Sequence, residues 1–190
     1  MPLPEPAVGR EPLHRRSIEI VGYRRKDGLF DIEGRLLDRK DVPFTVGGRE
    51  LPPGAPVHAM WLRITVDREL RIVDAAACTE AMPYEGQCDR ITPDYAKLIG
   101  LSIGPGYLRH VKELLGGVRG CTHITELAAS LATAAFQTFA GQGLMPSERK
   151  PAQLDRCHAL DTHGETVARF YPKWYRGGAT ASDTGPSESH

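Results

Sequence analysis

The hydrophobic period of this sequence changes near its middle, from two residues to about 3.6, and that change constrains the fold more than any single motif. The clearest alternation covers residues 57–67, and its apolar members fall on one face of a strand: Met60, Leu62, Ile64 and Val66. Residues 70–78 return after a short turn, and residues 17–24 and 29–37 flank an Asp-Gly turn. Two consecutive hairpins therefore predict an antiparallel sheet in the first half of the chain.

The second half of the chain carries the helical period. Residues 121–139 are rich in alanine and place one apolar stripe along a predicted helix: Ile124, Leu127, Ala128, Leu131, Ala135 and Phe139. Residues 107–115 predict a second helix that ends at Gly116, and residues 166–171 predict a late strand. Because strands come first and helices follow, the order predicts an α+β fold, an antiparallel sheet of consecutive hairpins followed by packed helices.

The balance of charge excludes some classes of partner. The chain has 190 residues with 24 Lys+Arg and 24 Asp+Glu, so its formal net charge is zero. Binding to nucleic acid or to an anionic membrane surface needs an excess of basic residues, so we expect neither partner. No apolar signal core opens the chain and no stretch has the length of a bilayer span, so we expect a cytoplasmic protein.

The chain is short enough for one domain with flexible ends. Residues 1–13 are rich in proline and predict a flexible arm, and residues 14–176 predict a single α+β domain. Residues 177–190 are rich in Gly, Ser and Thr and lack apolar anchors, which predicts a disordered tail. The sequence leaves oligomerisation open.

A cysteine and a histidine lie where the long predicted helix begins. Cys121 falls at the start of this helix, where unpaired N–H groups and the helix dipole stabilise a thiolate, and His123 and Glu126 follow in the first turns. Cys121 and His123 are therefore the candidate catalytic residues, a nucleophile and an acid/base, and equally candidate metal ligands. The structural alternative is a buried cysteine beside a histidine that caps the helix.

Four further residues offer ligand atoms. His58 shares the apolar face of the strongest strand, where a core histidine is the commoner interpretation. Cys88 lies in a predicted loop between sheet and helices, and Cys157 with His158 lies in another polar stretch. The spacing of the four cysteines matches no zinc-finger pattern, and a cytoplasmic chain favours thiols or ligands over disulfides.

Basic residues concentrate on the first hairpin, including the run His14-Arg15-Arg16, and acidic residues such as Asp31 and Asp38 accompany them. A solvated surface whose charges pair with one another is the favoured interpretation. The alternative is that a subset binds an anion, such as the carboxylate of a small acidic ligand.

Four short motifs carry a resemblance to a known family. They are His58-x-Met60-Trp61-Leu62-Arg63, the run from Gly117 to His123, the pair Cys157-His158, and Tyr171-Pro172-x-Trp174-Tyr175. Together they make residues 10–176 resemble a bacterial family, the domain of unknown function DUF2889. The resemblance implies no particular activity.

Residues 57–139 are also similar, more weakly, to iron–sulfur scaffold proteins of the NifU/IscU type. A hairpin is followed by a cysteine, a helical segment and a cysteine that opens an Ala-rich helix, so Cys88 and Cys121 take the places of two scaffold cysteines. His58 stands where the scaffold has an aspartate, and the scaffold's first cysteine has no counterpart. The resemblance implies a NifU/IscU-like fold and, for zinc or iron, a metal-ligand set: His58, Cys88, Cys121 and His123.

Three functional hypotheses follow. The first is a cytoplasmic protein of scaffold-like fold that binds zinc, iron or an iron–sulfur species at its Cys/His site. The second is an enzyme acting on a small organic acid or thioester, with Cys121 as thiolate nucleophile and a histidine as acid/base. The third is a non-catalytic binding or oligomerisation module in which these side chains fill the core.

Overall fold

The computed structural model describes residues 3–140, 150–151 and 153–177. Contacts divide the chain into two compact units, Met1–Leu144 and Met145–His190. Residues 3–13 form no helix or strand. The tail predicted at residues 177–190 lies outside the described residues from 178 onward.

The first unit contains four long strands: β1 (His14–Arg24), β2 (Phe30–Lys40), β5 (Pro56–Val66) and β6 (Ile72–Ala81). They form one antiparallel sheet in the order β1-β2-β5-β6. The turn between β1 and β2 contains Gly28, whose φ of 88° suits glycine. Two short strands, β3 (Phe44–Val46) and β4 (Arg49–Leu51), form a separate hairpin between β2 and β5. The predicted α+β class with consecutive hairpins is confirmed.

Helices cover one face of this sheet. A 3₁₀ helix (Thr92–Leu98) and α1 (Tyr107–Leu115) precede the long helix α2 (Thr122–Phe139). The stripe predicted for α2 is buried in full, and the helix packs across β1, β2 and β5. Gly22 and Gly34 allow this close approach, because a Cβ at Gly22 would overlap Thr138 and one at Gly34 would lie 3.0 Å from a methyl group of Leu131.

The core lies between the helices and one face of the sheet, which β1, β2 and β5 line with even-numbered residues and β6 lines with Ile72, Ala75 and Ala77. On β2 the buried positions continue without interruption from Phe30 through Ile32 and Leu36 to Asp38, which is 3% exposed. Residues 38–40 therefore belong to β2, whereas the alternation seen in the sequence predicted that the strand ends at residue 37. The extension puts the carboxylate of Asp38 at the end of the core-facing row.

The prediction of a late strand at residues 166–171 is wrong. The segment forms a short helix, α3 (Glu165–Phe170), which follows Gly164 and buries Val167. A strand needs a hydrogen-bonded neighbour, and none of the described residues between 150 and 177 is in a strand. A helix instead pairs part of the backbone locally, as in the bonds from the N–H of Ala168 to the carbonyl of Gly164 and from the N–H of Tyr171 to the carbonyl of Val167.

Among the described residues, no helix has both the length and the apolar composition needed to cross a membrane.

Candidate metal centre

The candidate site lies at one end of the sheet, on the face that α2 covers. At this end β2 finishes and β1 and β5 begin, so the strand register puts Asp38 opposite Arg16 on one side and opposite His58 on the other. Helix α2 starts above the same three strands and adds His123 and Glu126 from its first turns. Residues from four separate elements therefore meet, although Arg16 and Glu126 are 110 positions apart in the sequence.

Asp38 is the centre of this cluster. The guanidinium of Arg16 donates from Nε to Oδ1 and from Nη2 to Oδ2, both at 2.8 Å, and Nε2 of His14 lies 3.0 Å from Oδ1. Burial acts to raise the pKa of Asp38, but the hydrogen bonds and charge of Arg16 outweigh it and lower that pKa to about 2. Asp38 is therefore a buried, ionised carboxylate at neutral pH.

Two histidines face the same carboxylate oxygen. Nδ1 of His58 lies 3.1 Å from Oδ2 of Asp38, and Nε2 of His123 lies 3.6 Å from that atom. The two imidazole rings stack with their centroids 3.8 Å apart and their planes tilted by 32°. Burial lowers the pKa of both histidines, and the proximity of His58 and the charge of Arg16 lower the pKa of His123 further. Both rings are therefore neutral at pH 7.

Cys121 caps the start of α2 with its backbone rather than with its side chain. The buried hydroxyl of Tyr95 donates to the carbonyl of Cys121 at 2.9 Å and accepts from its N–H at 3.0 Å, so the 3₁₀ helix holds the beginning of α2 in place. The thiol sulfur lies 3.8 Å from Nδ1 of His123 and 3.7 Å from the sulfur of Met60. The predicted proximity of Cys121 and His123 at a helix start is therefore present.

Three of these residues offer ligand atoms that lie within 4.8 Å of one another, namely Asp38, His58 and His123. Within the described residues, this is the one group of three or more His, Cys, Asp or Glu side chains that meets that distance. A carboxylate and two neutral imidazoles suit zinc or iron(II).

Neither Cys88 nor Cys121 belongs to that group, although the sequence predicted both as ligands together with His58 and His123. Cys88 is half-buried in a turn of the first unit, where its N–H donates to the carbonyl of Tyr84 at 2.9 Å. Cys157 and His158 are exposed in the second unit. Of the four predicted ligands, the structure brings together His58 and His123, with Cys121 beside them.

Three residues of the site escaped the sequence-based prediction, namely His14, Arg16 and Asp38. The signal for Asp38 was present, because it continues the even-numbered row of Phe30, Ile32 and Leu36 at the end of β2. A carboxylate on a core-facing row needs a partner, and the basic run at residues 14–16 supplies it from the neighbouring strand. His14 and Arg16 could not be separated from the solvated charges of the hairpin without knowledge of the strand register.

Comparison with known proteins identifies a family and no characterised relative. The model of a family described as protein of unknown function (DUF2889) matches residues 14–137, which include every residue of the cluster around Asp38. No curated protein and no solved structure matches the chain. The weaker resemblance to NifU/IscU scaffolds is therefore not confirmed.

Proposed function

The chain belongs to the DUF2889 family of proteins of unknown function, and for this member we propose that Asp38, His58 and His123 bind one divalent transition-metal ion. Zinc and iron(II) are the candidate metals. The observation that carries the proposal is the convergence of two imidazole nitrogens on one oxygen of a buried carboxylate.

The spacing of the three donor atoms supports this proposal. Ligand atoms bound to one ion at about 2.0–2.2 Å, at tetrahedral or octahedral angles, lie roughly 2.9–3.5 Å apart. Nδ1 of His58 and Nε2 of His123 lie 3.1 Å and 3.6 Å from Oδ2 of Asp38. Two of the three separations therefore already lie in or near this range, and all three donor atoms lie within 4.8 Å of one another.

The protonation states support it as well. A metal ion binds the ionised carboxylate and the neutral imidazole, and protons on either group compete with it. Asp38 has its pKa lowered to about 2, and the pKa of each histidine is lowered by burial. At neutral pH the three side chains therefore already carry the net charges in which they bind a metal ion, and binding needs no net loss of protons from them.

The donor set favours a single ion over an iron–sulfur cluster. Clusters are held chiefly by cysteine thiolates, and the three converging side chains contain no sulfur. Cys121 stands next to His123 at the nitrogen that faces away from Asp38. Its role in this proposal is to orient the His123 ring, as outer partners of metal-bound histidines do.

Metal binding is tested directly by titration of the chelator-treated, full-length protein with Zn²⁺ and Fe²⁺, the latter under anaerobic conditions. We expect one ion per chain, and we expect Asp38→Asn, His58→Gln and His123→Gln each to weaken its binding by about tenfold or more. Calorimetry and elemental analysis of the dialysed protein give the affinity and the stoichiometry.

Asp41→Asn is the matched control for Asp38→Asn. Asp41 also accepts two hydrogen bonds from an arginine of β1, since Nε of Arg15 lies 2.9 Å and 3.2 Å from its carboxylate oxygens, but it lies outside the cluster. Its replacement should leave metal affinity unchanged. Stoichiometric binding that survives all three ligand substitutions would place the ion elsewhere and contradict the proposal.

A second candidate function uses the same histidine differently. Cys121, His123 and Asp38 form a chain of thiol, imidazole and carboxylate, with Sγ to Nδ1 at 3.8 Å and Nε2 to Oδ2 at 3.6 Å. In a thioester hydrolase, Sγ bonds to the acyl carbon, the carbon–sulfur bond to the leaving thiol breaks, and His123 passes the cysteine proton to the leaving sulfur. Water then hydrolyses the acyl–sulfur bond, which releases the acid and restores the thiol of Cys121.

Mass spectrometry after incubation with acetyl-CoA separates the two functions. The thioester hydrolase predicts an acetyl group on Cys121 and its loss in Cys121→Ser, while Cys78→Ser on the exposed cysteine changes nothing. A single metal site predicts that Cys121→Ser still binds the ion and that no acyl group accumulates.

A further inference from the structure

Arg16 already holds the carboxylate that the metal ion needs. Its Nε donates to Oδ1 of Asp38 and its Nη2 to Oδ2, each at 2.8 Å. The two histidine nitrogens face Oδ2, so an ion bound by all three side chains takes that oxygen. A carboxylate oxygen has two lone pairs, so Oδ2 can bind the ion with the one that faces the histidines and still accept from Nη2 with the other.

Arg16 stays in place beside the ion. Its third nitrogen, Nη1, donates to Oε2 of Glu126 at 2.6 Å, so the guanidinium is held between β2 and α2. Nη2 carries two N–H donors, and its bond to Oδ2 uses one of them. The side chain of Arg16 is 33% exposed, so a ligand from solvent can reach it.

The charges of the occupied site call for an anion. A divalent ion and Arg16 contribute three positive charges, and Asp38 and Glu126 contribute two negative ones, while an imidazole binds a metal in its neutral form. One positive charge remains in a partly buried place, where an opposite charge is bound more strongly than in water. Three protein ligands also leave a coordination position open on the ion.

From this arrangement, and resting on the metal site proposed above, we infer that the occupied centre binds the carboxylate group of a small organic acid, one oxygen on the metal and the other on Nη2 of Arg16. The planar guanidinium is suited to a carboxylate, which it already binds in Asp38. Arg16 thus binds an internal carboxylate and, through the second N–H of Nη2, an external one, and it determines the class of ligand.

The inference predicts that one substitution moves two affinities in opposite directions. Arg16→Gln removes a positive charge beside the ion, so the metal should bind at least as tightly as in the wild type. The same substitution removes the donor for the external carboxylate, so that ligand should bind about tenfold more weakly or worse. A merely structural role for Arg16 would weaken both.

Cobalt(II) provides the probe, because its visible absorption changes when its coordination changes. The full-length protein is loaded with Co²⁺ at pH 7.5 and titrated with acetate, with neutral acetamide as the matched compound and inorganic phosphate as a second anion. Arg15→Gln is the control variant, since Arg15 pairs with Asp41 on the same strand and is 65% exposed. We expect saturable acetate binding in the wild type and in Arg15→Gln, and its weakening in Arg16→Gln.

Each of the other possible outcomes refutes a specific part of the inference. Equal acetate affinity in cobalt-loaded wild type and Arg16→Gln refutes the role of Arg16 and leaves the metal site standing. Stronger binding of phosphate than of acetate refutes the carboxylate class. Failure of the wild type and of Arg16→Gln to bind cobalt, zinc or iron refutes the metal site and this inference together, and circular dichroism of both proteins shows that they are folded.

Discussion

The two ends of helix α2 pack against the same sheet face with opposite chemistry. At the apolar end, Phe139 contacts Phe30 with ring centroids 4.5 Å apart, and Thr138 fits against Gly22. At the polar end, the first turns of α2 meet Asp38, His58 and Arg16. The helix, the strands and the alternation are continuous between these two ends, so the difference comes from side chains alone.

The comparison teaches which part of the interface stabilises the fold and which part costs stability. Burying two phenylalanine rings removes apolar surface from water and is favourable. Burying a carboxylate with two neutral histidines costs desolvation energy, which Arg16 offsets through its charge and hydrogen bonds. Replacing a buried ion pair by apolar residues is often neutral or stabilising, so the polar end contributes less to folding than the apolar end, in keeping with the binding role proposed for it.

The largest effect is expected from breaking the apolar end. Phe139→Ala removes a ring that is 1% exposed and leaves a cavity, so it should lower the free energy of unfolding by about 3–5 kcal/mol. Denaturant titration measures this loss. Phe170→Ala, at an exposed ring, should change stability by about 0.5 kcal/mol or less. A loss below about 1 kcal/mol for Phe139→Ala would mean that packing at this end contributes little to the free energy of unfolding.

A smaller effect is expected from neutralising the carboxylate at the polar end. The pKa of Asp38 is about 2 in the folded protein against an ordinary 3.8, so the unfolded chain takes up this proton first as the pH falls. The stability that Asp38 contributes is therefore present above about pH 4 and is lost towards pH 2, in total about 2 kcal/mol.

Urea titrations of metal-free protein between pH 5 and 3 test this dependence. Asp38→Asn should lose part of the acid-dependent change, and the control Asp41→Asn should keep it. Identical pH dependence in the wild type and Asp38→Asn would show that Arg16 does not stabilise the ionised carboxylate.

The smallest effect is expected from the histidines, since both rings are only half-buried. Burial lowers the pKa of His58 and of His123 below the ordinary 6.5, so the unfolded chain binds protons first on acidification. Stability should therefore decrease as the pH of chelator-treated protein falls below about 6.5. The double variant His58→Gln/His123→Gln should flatten this decrease between pH 7.5 and 5.5, while His163→Gln, an exposed histidine, should not.

Much of the fold could be predicted because it follows from local patterns. The alternation of residues 57–67 specifies β5 to within one residue, and the stripe from Ile124 to Phe139 specifies α2. Residues 166–171 could not be assigned in the same way, because a short segment with one buried residue has no clear period and takes the structure that satisfies its own backbone.

The candidate site was predictable only in part, for a related reason. His58, Cys121 and His123 stand out in the sequence because their residue types are uncommon on an apolar strand face or at a helix start. Arg16 and Asp38 do not stand out, because the hairpin that contains them is full of ordinary charges. Whether such a charge is solvated or buried depends on the register between strands, which local pattern does not specify.

The amino-acid sequence by itself determines the elements of this protein: the hairpins, the long helix and the faces that each of them buries, because hydrophobic periodicity acts within a single element. The tertiary structure alone decides that β1, β2, β5 and α2 bring Arg16, Asp38, His58 and His123 together at one end of the sheet. Convergence of this kind depends on strand order, register and the placement of a helix across strands, and these are set by the packing of the whole core.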